Sequence, residues 1–133
     1  MAQLTSQNKI FSDIDLDFDI HPNTKKLNIL SGEISVLRSL RNLIMTNHYE
    51  RPFHPELGCG IRQSLFDNIM QSTAITIKNT IYEVVENFEP RVKLSSVDVI
   101  AEPENNGYNV IITFFVINEA VKRQVTFFLE RVR

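Results

Sequence analysis

Tryptophan is absent from this 133-residue chain, cysteine occurs once and glycine four times. A single cysteine, Cys59, makes no intrachain disulfide, which excludes a disulfide scaffold and fits a reducing or redox-indifferent setting. No apolar run approaches the roughly 20 residues that cross a bilayer, so membrane insertion is not expected. The first nine residues lack a cationic stretch followed by an apolar one, and no signal peptide is read there. Lys and Arg number 14 against 16 Asp and Glu, which gives no net pull toward a nucleic-acid backbone. These absences leave a soluble protein made in a cytoplasm. Its 43% hydrophobic and 23% charged content are those of a folded chain. At this length one core buries roughly two-thirds of the unfolded surface, enough for a single domain without staples.

What is present falls into three stretches. Residues 1–30 are polar, with Ile14, Leu16, Phe18 and Ile20 alternating with Asp15, Asp17 and Asp19. That pattern is a half-buried extended segment with a solvated row of carboxylates, and the stretch reads as an N-terminal arm ahead of a domain at 31–133. The middle is helical. Ile34, Leu37, Leu40 and Ile44 keep to one side of a helix after Ser31, with Arg38 and Arg41 pointing elsewhere. A short helix is expected over 61–68. A longer one follows Ser72 as N-cap, carrying Ala74, Ile77, Ile81, Val84, Val85 and Phe88 until Pro90 stops it.

The last third changes period. Val97, Val99 and Ala101 alternate with polar neighbours, Asn106-Gly107 makes a tight turn, and 108–117 and 121–129 are rich in β-branched and aromatic residues around a linker at 118–120. Helices followed by a three-stranded meander define an α+β fold, the helices packed on a small antiparallel C-terminal sheet. Apolar side chains alternate on both faces of the last strand. Either both faces are covered within the chain, or strands from a partner complete the sheet through main-chain hydrogen bonds.

Catalytic and metal chemistry find little support. Counted as a calcium loop from Asp13, the positions that need glycine and glutamate hold Phe18 and Thr24. His48, His54 and Cys59 lack a fourth zinc ligand at suitable spacing. Glu50, Glu56, Glu83, Glu86 and Glu89 are carboxylates without a recognisable acid–nucleophile pair, and the chain has no Trp platform for a sugar. No metal, cofactor or catalytic residue is assigned.

Two loops carry the most information. Arg51, Pro52, Phe53, Pro55, Glu56, Leu57, Gly58, Cys59 and Gly60 form a stiffened loop. It is either a rigid connector or a support that wedges Phe53 and Leu57 onto the core while presenting Arg51 and Glu56. Glu89, Pro90 and Arg91 make a sharp turn between the long helix and the sheet: an ordinary helix stop with a solvated ion pair, or a charged docking point.

With Leu65-Phe66-Asp67-Asn68 and the early Ser12-Asp13-Ile14-Asp15, these loops make the sequence resemble the baseplate wedge subunits of T-even-type contractile phage tails. Relatives of that family occur in type VI secretion baseplates. The resemblance spans about residues 30–133; Leu57 stands where many members carry Phe. It implies a structural virion protein of the tail baseplate, assembled in the host cytoplasm. Its expected partners are other wedge proteins, first-ring sheath subunits and the tail tube, and it initiates the contractile sheath. It also implies that Glu89, Pro90 and Arg91 clamp the helical core bundle of the wedge. Arg51, Pro52, Phe53, Pro55, Glu56, Gly58 and Gly60 would form a partner-facing or structural loop. Residues 108–117 and 121–129, with Val121, Val125, Phe127 and Leu129, would accept sheath strands. The family has also carried a lysozyme-like label, so a murein hydrolase of the tail is the alternative.

Overall fold

The structure, a computed structural model, describes residues 11–117 and 119–131. The signal-peptide reading and Asn118 of the strand linker lie outside the described residues. In chain order the elements are β1 (Ser12–Ile14), β2 (Ile29–Ser31), α1 (Glu33–Met45), α2 (Ile61–Ser64), α3 (Gln71–Phe88), β3 (Val92–Glu102), β4 (Gly107–Val116) and β5 (Lys122–Glu130). The expected α+β architecture and C-terminal meander are present, with strand order β3-β4-β5, antiparallel throughout.

Strand β4 is the middle of the core. Tyr108, Val110, Ile112, Phe114 and Val116 are all buried on its helix side, while Asn109, Ile111, Thr113 and Phe115 are half-buried on the other. Burial of each large apolar side chain contributes about 1.5–3 kcal/mol, so this row anchors the sheet. Helix α3 lies across β3 and buries Ala74, Ile77, Ile81, Val84 and Val85. Gly107 opens β4 where an added Cβ would lie 2.4 Å from the Leu129 carbonyl oxygen, and only glycine fits so close a strand crossing.

Four details depart from the sequence reading. Met70, not Ser72, is the N-cap of α3. Its backbone N–H, the first unpaired donor of the helix, donates to the Tyr108 hydroxyl at 3.2 Å, so a tertiary contact fixes where the helix starts. Strand β3 begins five residues before Val97, at Val92. A bulge between Leu94 and Ser96 puts Leu94 and Val97 opposite Phe114 and Ile112, which breaks the period of two. Helix α1 buries Val36, Leu40, Leu43 and Ile44, whereas Ile34 is 60% exposed and Leu37 only half-buried. Helix α2 has four residues rather than eight.

The segment before α1 is a hairpin, β1 pairing with β2 and Ile20 bridging Leu27 near its tip. After β1 the Asp15 carboxylate accepts the Asp17 N–H at 3.2 Å, an Asx turn that bends the chain away from extended geometry. Asp15 therefore leaves the solvated row of carboxylates, while Asp13, Asp17 and Asp19 stay exposed. Asp15 is buried, because the Arg38 guanidinium of α1 reaches back to Asp15 and, at 2.8 Å, to Asp17. Among the described residues no helix is long and apolar enough to cross a membrane.

A candidate docking cleft and an open sheet edge

Helix α3 ends at Phe88 because Pro90 cannot continue it. The turn that follows carries the most buried acid of the described chain, Glu89, 3% exposed. Its carboxylate accepts from Arg91 Nε at 2.6 Å and Nη2 at 2.8 Å, a bidentate fork, and from the Ser39 hydroxyl of α1 at 2.6 Å. Burial alone would push the Glu89 carboxyl up; the bonds from Arg91 and Ser39 outweigh it and hold the carboxyl below the usual glutamate value. This is a buried tie between two helices and the sheet, in place of a solvated ion pair. Arg91 uses two of its five N–H donors on Glu89 and stacks 5.6 Å from the centre of the Phe11 ring. Pro90 is exposed beside it.

The loop from Arg51 is rigid, but not in the way the sequence implied. Tyr49 N–H donates to the Pro55 carbonyl at 3.0 Å and Cys59 N–H to the Thr46 carbonyl at 2.7 Å. Glu50 accepts from the backbone and side chain of Asn47 at 2.9 and 2.7 Å, and these bonds hold its carboxyl low. Gly58 sits at φ 134° with the Thr46 and Asn47 carbonyls 2.8 Å from where a Cβ would be. Leu57 packs against the core as expected. Phe53 does not: it is 97% exposed at φ 70°, and Tyr49 is 84% exposed at φ 67°. The loop's hydrogen bonds override the apolar preference of Phe53. Arg51, Pro52, Pro55 and Glu56 are exposed, Glu56 3.1 Å from His54 Nδ1. Gly60 is tucked against the His48 ring at the start of α2. Cys59 is buried and its thiol is pushed up to about 12 by that burial, so it is no nucleophile at neutral pH. Among the described residues no three His, Cys, Asp or Glu side chains group as a metal site.

Folding brings three separate stretches around one cleft of about 660 Å³. Asp13, Ile14, Leu16 and Phe18 of the N-terminal hairpin form one wall, and Glu50, Arg51, Pro52 and Leu57 the other. The floor is Arg38, Ser39, Asn42 and Leu43 of α1, with Phe88 and Glu89. The sequence reading missed Ser39, Arg38 and the hairpin wall. Asp15 and Asp17 two residues apart, facing a helix cation outside the apolar stripe, were the signal for the last two.

Strand β5 lies on the far side of the sheet. Val125 and Phe127 pack partly against the core and Leu129 is buried, while Val121 precedes the strand and is exposed. Its partner is β4 alone, so among the described residues the other side of its backbone has no strand beside it. Glu33 at the start of α1 holds Arg123 of this strand at 2.8 Å.

A helical layer over a short meander, an acid-and-guanidinium turn and a strand with one open edge are the features this chain shares out among its elements. The family described as baseplate wedge protein gp25 matches residues 30–126, and this chain belongs to it. The chain is 37% identical over 111 residues to baseplate wedge protein gp25 of Enterobacteria phage T4, covering 84% of this chain and 83% of that one. A chain in the baseplate of the anti-feeding prophage superposes with a TM-score of 0.73 at 26% identity, covering 84% of this chain and 89% of that chain. A Geobacter sulfurreducens protein named as a tail lysozyme gives 0.70 at 25% identity, covering 76% and 92%.

Proposed function

We propose that this chain is a structural baseplate wedge subunit that clamps neighbouring wedge chains at the Glu89-Pro90-Arg91 turn and starts the sheath by accepting strands on β5. The observation that carries this reading is the unpaired β5 backbone, because exposed edges are normally blunted and this one carries a β-rich sequence, Val125-Thr126-Phe127-Phe128-Leu129. Sheath subunits of the first ring are the proposed donors, pairing through main-chain bonds, since the side chains of Val125, Phe127 and Leu129 already point into the core. For the clamp, Arg91 keeps three N–H donors after satisfying Glu89, and Glu89 and the exposed Arg51 line the same cleft. Hydrogen exchange tests the strand reading: mixing with sheath subunits should slow alternate β5 amides, while unchanged β5 exchange in a sheath-bound sample refutes it.

The hydrolase alternative rests on the name of the Geobacter relative. A glycosidase acid needs a carboxyl pushed upward by an apolar pocket. Asp15, Glu50, Glu56 and Glu89 are all displaced downward, and Glu89 is locked to Arg91. We therefore infer a scaffold with no turnover of its own. Peptidoglycan incubated with the purified chain should stay intact, and release of muropeptides that a Glu89→Gln change abolishes would reverse the assignment.

A further inference from the structure

The N-terminal hairpin inverts the usual arrangement of a half-buried strand pair. One of its acids is held against the body: Asp15 is 9% exposed and, with the more exposed Asp17, is gripped by Arg38. Its apolar side chains are the ones left out. Ile14, Leu16, Phe18, Ile20, Leu27 and Ile29 are each between 45% and 69% exposed, and Ile14–Ile29 and Ile20–Leu27 are cross-strand pairs. Elsewhere exposed apolar residues of this chain are scattered, whereas these six lie within sixteen consecutive positions of one hairpin. Concentrated exposure of this kind marks an interaction surface. Phe18 adds a second sign, because it is held at φ 55°, a left-handed conformation that large side chains adopt only under constraint.

We infer that residues 12–31 are a separate protein-docking element, held to this chain by charge and seated on a partner by its apolar ridge. The occupant is another protein subunit whose surface is apolar at its centre, basic where it meets Asp13 and Asp19, and acidic where it meets the tip. Charge complementarity sets that choice: Asp13 on β1 and Asp19 further along the same arm are exposed, while Lys25 and Lys26 are exposed at the turn. The surface goes beyond the proposed clamp, since Ile20, Leu27 and Ile29 lie outside the cleft.

The experiment uses the full chain and purified wedge complexes of the same particle assembled without it, with co-sedimentation as the readout. Leu16→Ser with Phe18→Asn removes the ridge while suiting the backbone, because Asn tolerates left-handed geometry. That double variant should bind about tenfold more weakly than wild type, the loss expected of a central apolar anchor. Asp13→Lys with Asp19→Lys should weaken binding several-fold at ~0.05 M salt and much less at ~0.5 M, as screening removes the charge term. Circular dichroism confirms that each variant is folded, and an unfolded Leu16 and Phe18 pair leaves the charge variants to decide. Wild-type binding by both double variants overturns the inference. Loss in an Arg91→Lys variant alone, with the hairpin variants unaffected, supports the clamp and overturns it too. So does wild-type chain that dimerises by itself through Phe18, which would make a second copy the occupant.

Discussion

Arg91 serves the chain before it can serve a partner. Its fork neutralises Glu89, a carboxylate 3% exposed, so Arg91→Ala should cost about 2–3 kcal/mol of folding stability by denaturant titration, and Arg91→Lys a smaller amount. The pH dependence follows from the same tie. Because the folded Glu89 carboxyl lies below the ordinary 4.5, its stabilisation is present in full above that pH and is lost as acid drives it through the folded value. In Arg91→Ala burial dominates instead, the carboxyl moves above its ordinary value, and the variant should gain stability as pH falls from 7 toward 5. A flat profile over that range would refute the buried tie. Two loop positions should behave oppositely. Gly58→Ala forces a side chain into φ 134° with carbonyls 2.8 Å away and should destabilise by at least about 2 kcal/mol. Phe53→Asn keeps a residue suited to φ 70° and removes only exposed surface, so stability should hold within about 0.5 kcal/mol while incorporation into wedge complexes falls. The sequence marked both positions as special, yet the direction in which Phe53 points depends on hydrogen bonds between residues 46 and 59 that no local pattern encodes.

At the scale of elements, legibility followed periodicity. Helix α3 repeats its apolar residues for five turns, so its existence and its buried face were readable; its start was not, because a contact with Tyr108 of a distant strand fixes it. Strand β3 was shortened in the reading because the bulge at Ser95 shifts the parity of its inward positions. Strand β5 read correctly as an alternating strand within one residue at each end. Its edge gives a test that separates folding from docking. In an antiparallel ladder neighbouring residues point their N–H groups to opposite sides, so of Val125→Pro and Thr126→Pro one removes a bond to β4 and the other removes only an outward donor. The first should lower the thermal midpoint sharply. The second should leave the helices and midpoint nearly intact yet stop sheath growth, and normal sheath on that variant would rule out strand completion.

At the scale of the whole molecule, the cleft was the least legible feature, although each of its three segments had been singled out separately. Local sequence says that a stretch is extended or turned; it does not say that a hairpin folds back across a helix, because that depends on one long-range contact. Arg38 makes it, and Arg38 stands outside the buried stripe of α1. Removing it should therefore release the hairpin without unfolding the core. In Arg38→Ala the amides of Ile14 and Ile29 should exchange faster, those of Val110 and Ile112 in the central strand should keep their protection, and the cleft should lose its hairpin wall. Acid offers the same release in the wild-type chain. The Asp17 N–H and the Arg38 guanidinium hold the Asp15 carboxyl below its ordinary 3.8, so the latch should persist through mildly acidic solution and open only below that value, whereas Asp15→Asn with Asp17→Asn should be open at every pH. Unchanged exchange at Ile14 and Ile29 in Arg38→Ala would mean that the bonds of the Phe11 carbonyl to Gly32 and Ser35, rather than the ion pairs, keep the hairpin on the body. The charge-held arm that exposes its apolar side would then lose its physical basis.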